Sequence, residues 1–268
     1  MKAYCLIREQ PWYRRDAFMS GLKRAGLAPE LRRPASVDRD TVLVIWNRYA
    51  DNHELALQVE RAGGRVWVAE NGYVGIGGSN PKFDVHPHGP KPEHYYALAE
   101  GYHNGGGRIP TGDGSRWAAL GVELKAWRAS GEYVLVCPNR SFGVPARTMH
   151  PDWAEREAAR GRKATGLPFR VRPHPGNHAP ARPLAEDLKG AAAVIVWSSS
   201  CGVHALIEGI PTWCAAPAWI LKEAACSGPL QQPTLAPRLP AFERLAWAQW
   251  RCDEIASGAP FEALLRAA

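Results

Sequence analysis

Short apolar strands alternate with helices in both halves of the sequence. This pattern predicts an α/β fold of two small, doubly wound, Rossmann-like domains facing a cleft. Two further observations agree. Thr41–Trp46 is a continuous apolar run, as expected of a parallel strand covered on both faces. Polar or glycine-bearing tips also follow the strands directly, at the carboxyl ends where ligands of such sheets bind. The 268 residues, 46% hydrophobic and 22% charged, are enough for one large or two small domains with a core, and they exclude disordered and fibrous architectures.

In the first half, residues 3–7 read as a strand and 16–25 as a helix; a strand over 41–46 leads into a helix over 52–62. Gly63 and Gly64 close that helix, and residues 65–69 form the third strand. Residues 75–115 break the pattern with ten glycines and five prolines, which predicts a long functional loop and the crossing between domains. Alternation resumes with strands at 133–137, 169–172, 193–197 and 212–214 and helices beginning near Pro151, Leu184 and Cys201. The tail from 241 reads as helical. The expected boundaries are 1–115, 116–240, and 241–268 as helices packing across the two domains.

No stretch reaches the roughly 20 apolar residues of a membrane-spanning helix, and the start lacks the apolar run of a signal peptide. The six cysteines lack metal-ligand spacing and read as reduced, mostly buried thiols, so a cytoplasmic protein with no membrane partner is expected. The net charge of +7 favours phosphate-rich or otherwise anionic partners. Eleven tryptophans are many for this length, and several are expected to line clefts or interfaces.

Three strand-to-loop segments carry chemistry. The run Val196-Trp197-Ser198-Ser199-Ser200-Cys201-Gly202-Val203-His204 ends a buried strand in three serines and a glycine and opens a helix at once. Hydroxyls, free N–H groups and the positive end of the helix dipole there suit a phosphate. Helix capping by Ser200 alone is the simpler alternative. The run Arg170-Val171-Arg172-Pro173-His174-Pro175-Gly176 holds an imidazole between two prolines beside Arg172, fit to bind and stabilise a departing diphosphate. A structural hydrogen bond is the alternative for His174. The run Cys137-Pro138-Asn139-Arg140-Ser141 brings Arg140 to a strand end, with an ordinary surface arginine as the alternative.

These loops, within residues 133–217, resemble compact GT-B-type glycosyltransferases. An HP motif followed by a serine motif is similar to the bacterial sialyl-, polysialyl- and Kdo-transferases of capsule synthesis, and to small phage-encoded glycosyltransferases. The resemblance implies that residues 116–240 bind a nucleotide-sugar donor, a co-substrate, with no further cofactor. It implies that His174, Ser198, Ser199 and Ser200 bind donor phosphate or nucleotide, joined by Arg140, Arg172, Gly202, His204 and Glu208. One position departs: where many GT-B enzymes have a ribose-binding glutamate, five residues before the Gly of Gly-x-Pro, this chain has His204, with Glu208 beside Gly209.

In such a fold the acceptor and the base come from the N-terminal domain. The strand-end candidates for acceptor binding are Trp46, Asn47, Arg48, Asn71 and Tyr73, and those for the base are Glu70 and Asp51, with His174 assisting departure of the phosphate. The alternative for Glu70 is to organise only the Asn71-Gly72 turn, that for Asp51 is to cap the helix that follows it, and Asp16 is ambiguous in the same way. His86, His88 and His94 lack a Cys or acidic partner, and there is no DxD motif at a strand end, so no metal site is expected. The expected reaction is metal-independent glycosyl transfer to a hydroxyl, preferably that of a 5-hydroxymethylpyrimidine in phage DNA flipped from the duplex. Capsule or surface-glycan transfer, a non-catalytic nucleotide or glycan-binding module, and a nucleotide-sugar epimerase are the rivals.

Overall fold

The computed structural model describes residues 1–74, 94–141, 143–144, 146–174 and 182–267. The chain divides into two units, Met1–Arg116 with Glu243–Ala268, and Trp117–Phe242. The first contains β1 (Lys2–Cys5), α1 (Arg15–Arg24), β2 (Ala28–Glu30), β3 (Thr41–Trp46), α2 (Asp51–Arg61), β4 (Arg65–Asn71) and β5 (Tyr95–Glu100). A short helix, α3 (Ser115–Ala119), lies at the crossing. The second unit continues with β6 (Tyr133–Cys137), α4 (Trp153–Thr165), β7 (Phe169–Val171), α5 (Leu184–Lys189), β8 (Ala191–Val196), α6 (Cys201–Ile207) and β9 (Thr212–Cys214). Helix α7 (Leu239–Ala246) leads back to the first unit, which β10 (Gln249–Arg251), α8 (Cys252–Ser257) and α9 (Ala259–Arg266) complete.

The first sheet has the order β10-β5-β4-β3-β1-β2. Its β1–β4 part is parallel, and β5 and β10 extend it antiparallel. All six residues of β3 are buried because the sheet is covered twice. On one face Val42, Val44, Trp67 and Ala69 meet Phe18 and Leu22 of α1, Ile255 of α8 and Phe261 of α9. On the other, Leu43, Ile45, Val66 and Val68 meet Leu55, Ala56 and Val59 of α2. Trp67 stacks on Phe261 with ring centroids 5.5 Å apart, and full burial of each ring contributes about 2–3 kcal/mol.

Two expectations are corrected here. The segment 75–115 is not loop throughout: Tyr95–Glu100 pairs along β4, with Tyr96, Ala97, Leu98 and Ala99 all buried. The glycines and prolines that flank this short apolar run hide it in the sequence. The tail is not helical throughout either, because Gln249–Arg251 pairs with β5 and α8 packs on α1. Arg116 fastens the tail within the first unit. Its guanidinium lies 4.1 Å above the Trp250 ring, binds the Glu254 carboxylate at 2.6 Å and donates to the carbonyls of Ala246 and Gln249.

The second sheet, of order β7-β6-β8-β9, is wholly parallel, as three successive strand–helix–strand units require. Val134, Val136, Phe169, Ala193 and Ile195 form its core with Ala154 and Ala158 of α4. In the Gly-Ile-Pro exit from α6, Gly209 has φ +73°, and a Cβ there would stand 1.9 Å from the Ala126 carbonyl oxygen. The backbone of residues 125–128 runs close along the end of α6, donating from Lys125 to the Ile207 carbonyl and from Arg128 to that of Gly209. This close approach requires a glycine.

Candidate functional site

Parallel pairing of β7, β6 and β8 brings their carboxyl ends to one edge of the second sheet, and with them the three loops singled out in the sequence. The link is hydrogen-bonded strand pairing: adjacent parallel strands lie about 4.8 Å apart. Asn139, after β6, clamps Ser198, after β8. Its Nδ2 donates to Ser198 Oγ at 3.1 Å, and its Oδ1 accepts the Ser198 N–H at 3.1 Å. His174, after β7, lies close enough to Arg140, after β6, to feel its charge. Burial first, and Arg140 second, push the imidazole down to about 4. His174 is therefore neutral at neutral pH, one ring nitrogen bearing a proton and the other a lone pair.

The three serines are not equivalent. Ser199 is buried and its Oγ accepts the Cys201 N–H at 3.3 Å, whereas Ser200 is exposed. Ser200 is the N-cap residue, but its side chain makes no capping bond. The expected free N–H groups at the start of α6 are a correction: those of Gly202, Val203 and His204 donate to the Ser199 and Ser200 carbonyls. Polar character in this loop thus resides in side chains more than in the helix terminus.

Arg172 is enclosed. It is buried, ion-paired to Asp187 of α5, and donates to the Arg182 carbonyl at 2.8 Å. It also reaches the Cys201 thiol, which hydrogen-bonds to the Cys137 thiol. Within that thiol pair the Cys137 proton is held firmly, by its bond to Cys201 and by burial. Gly202 is buried against Trp219, where a Cβ would lie 2.9 Å from the ring, so its smallness serves packing. His204 is exposed on α6. Glu208 pairs with Lys125 at 2.6 Å. Pro175, Gly176 and the rest of that loop to residue 181 lie outside the described residues.

Trp46 is buried, its ring 4.6 Å from that of Tyr13 in an edge contact. Arg48 is buried too, and its guanidinium meets both Glu60 carboxylate oxygens at 2.6 Å, Nδ1 of His53 at 3.1 Å and the Gly101 carbonyl. That saturation ties α2 to the end of β5 and gives Arg48 a structural role. Tyr73 is buried and its hydroxyl accepts the Asn104 N–H at 3.0 Å. Glu70 Oε1 accepts the N–H of Asn71 at 2.9 Å, so it does organise the turn. Asp51 is exposed in the first turn of α2, with no side-chain cap at that helix. Asp16 is paired with Arg14, whose hydrogen bond lowers its pKa.

Two features of this region were not evident in the sequence. Asn47 and Ala50 both have positive φ, at 62° and 47°, a strain of about 1–3 kcal/mol each for non-glycine residues. Among the described residues the Oδ1 atoms of Asn47, just after β3, and Asn71, at the end of β4, are buried with no hydrogen-bond partner. Such acceptors are costly to leave unsatisfied and suit the hydroxyls of a bound ligand.

His86 and His88 lie outside the described residues, and His94 is buried, its carbonyl accepting the Cys252 N–H. Among the described residues no three His, Cys, Asp or Glu side chains form a metal-binding group. No described helix is long and apolar enough to cross a membrane.

Two α/β units, each built on a largely parallel sheet, give the chain a GT-B-like fold, and solved structures superpose on it over nearly its full length. The β-Kdo 2,7 transferase of KpsC from Thermosulfurimonas dismutans matches with a TM-score of 0.52 and 14% identity, covering 100% of this chain and 99% of that one. The β-Kdo 2,4 transferase of KpsC from the same organism matches with a TM-score of 0.55 and 11% identity, covering 92% and 90%. At these identities the likeness establishes the fold. No protein-family model and no curated protein sequence matches the chain.

Proposed function

We propose that the chain is a glycosyltransferase that moves a sugar from a nucleotide-activated donor to a hydroxyl of a glycan. The observation that carries this reading is that the strand-end loops bearing Arg140, His174 and Ser198 share one edge of the second sheet, with Arg140 near His174 and Asn139 bonded to Ser198. There Arg140 would neutralise the donor phosphate, neutral His174 would donate its N–H, and Ser198 and Ser200 would add hydroxyl donors. These groups stabilise the charge that grows as the phosphate leaves. Arg172 and Gly202 support the loops from behind, while His204 and Glu208 lie further along α6 and its exit.

Acceptor recognition is assigned to the first unit, where Asn47 and Asn71 offer unsatisfied oxygens to hydroxyl donors. The acceptor oxygen attacks the anomeric carbon as the bond from that carbon to the phosphate oxygen breaks. The phosphate departs with the electron pair, and the acceptor proton passes to a carboxylate, for which Glu70 is the first candidate and Asp51 the second. No step in this scheme needs a metal ion.

The two KpsC structures, named as Kdo transferases, favour a glycan acceptor. A hydroxymethylated pyrimidine in DNA remains a second reading because the net charge is +7. Incubation with cytidine-, uridine- and guanosine-activated sugars, with and without glycan acceptor, tests the main reading. Acceptor-dependent release of nucleotide that falls at least tenfold in His174→Ala supports it. Equal background turnover in both proteins, or turnover needing no acceptor, overturns it. Salt-sensitive duplex DNA binding at low ionic strength, with transfer to hydroxymethylated DNA, would favour the second reading.

A further inference from the structure

We propose that the buried Arg172–Asp187 pair is a positioning device for His174, and that Arg172 itself does not bind the donor. This rests on the reading of His174 as a phosphate ligand. Four contacts converge on Arg172, two residues before the imidazole. Its backbone N–H donates to the Val136 carbonyl at 2.9 Å, prolonging the β6–β7 ladder beyond β7. Its guanidinium pairs with Asp187 in the first turn of α5, donates to the carbonyl of Arg182 and reaches Cys201 at the start of α6. Arg182 Nε stands 3.8 Å from the other Asp187 oxygen.

The loop that begins at Pro173 is thus gathered at both ends on one buried ion pair, and the same pair touches the helix that follows the serines. The Arg172 side chain is only 8% exposed and that of Asp187 13%. A guanidinium already engaged by a carboxylate, a carbonyl and a thiol offers little to a phosphate. Breaking such a pair leaves an uncompensated buried charge, so the geometry it fixes is strongly enforced. Pro173 further restricts the backbone between Arg172 and His174.

Asp187→Asn separates the alternatives by sign. Removing a negative charge beside a cationic site would by itself tighten anion binding, and so would release of Arg172 as a ligand. Positioning predicts the reverse: inorganic pyrophosphate affinity, measured by calorimetry, falls at least tenfold. In the ligand-free variant His174, followed by NMR, titrates well above the value of about 4 that its burial and Arg140 give it. Unchanged or tighter pyrophosphate binding, or an unmoved His174 titration, overturns the proposal. Should Asp187→Asn not fold, Arg172→Lys decides by the same His174 titration, upward for positioning and unchanged against it. If pyrophosphate fails to bind the unaltered protein, the phosphate reading of the site fails, while the titration still decides the role of the pair.

Discussion

Asn139 holds Ser198 by both ends of its carboxamide, at 3.1 Å from the hydroxyl and 3.1 Å from the backbone N–H. One side chain thereby joins the loops after β6 and β8 and presents Arg140, the next residue, to the site. Asn139→Ala removes both bonds and is expected to destabilise the protein by about 1–2 kcal/mol. It is also expected to weaken pyrophosphate binding. Asn139→Asp loses the Nδ2 donor and adds a negative charge, so it should weaken pyrophosphate binding more than Ala does. Chemical denaturation and calorimetry check the two effects separately.

His174 gives stability a defined pH dependence. Its folded pKa of about 4 lies below its ordinary value of 6.5. The unfolded chain therefore binds more protons between these values. Protonation of His174 thus costs no stability above pH 6.5, an increasing amount as pH falls, and the full amount below about 4. That cost is at most about 3 kcal/mol, less with solvent screening. His174→Gln should flatten this part of the stability curve and leave stability above pH 7 little changed. A slope unchanged in the variant would show that other groups produce it.

Arg48 should behave as a structural residue despite its position after β3. Arg48→Met leaves Glu60 and the Gly101 carbonyl without their partner, and a loss of about 2 kcal/mol or more is expected. The corresponding fall in Tm is about 4–8 °C, at 2–4 °C per kcal/mol for a chain of this size. Asn47→Ala, by contrast, removes an unsatisfied buried acceptor and costs only alanine's poorer fit to φ +62°, about 1 kcal/mol, while acceptor affinity falls. If both variants lose only activity, the separation drawn between them is wrong.

Gly209→Ala tests the close approach at the end of α6. Positive φ alone disfavours alanine, and its Cβ would meet the Ala126 carbonyl oxygen at 1.9 Å. A loss of more than about 2 kcal/mol is expected, since neither backbone can yield without disturbing the other. Thermal unfolding measures it directly.

How far the sequence spoke depended on the range of the interactions. The parallel strands and the loops at their carboxyl ends were legible because continuous apolar runs and the residues just beyond them are local features. β5 was not, because Tyr95–Glu100 is a short run among glycines and prolines whose partner, β4, is established only by folding. The ion pair of Arg172 was hidden for a similar reason. An arginine beside a Pro-His pair reads as a phosphate ligand until Asp187, fifteen positions on, claims it. Asn139 sat within a recognised loop, but its pair of hydrogen bonds to Ser198 depends on strand order. The unsatisfied oxygens of Asn47 and Asn71 arise from burial, which composition does not report.

Calorimetric titration of CMP, CDP, UDP and GDP into the unaltered protein and into an Arg140→Ala/His174→Ala variant addresses the central claim most directly. At least one nucleotide should bind the unaltered protein, and its affinity should fall at least tenfold in the folded variant. Binding of none of the four, or equal binding to both proteins, would contradict a donor-phosphate site at the edge of the second sheet.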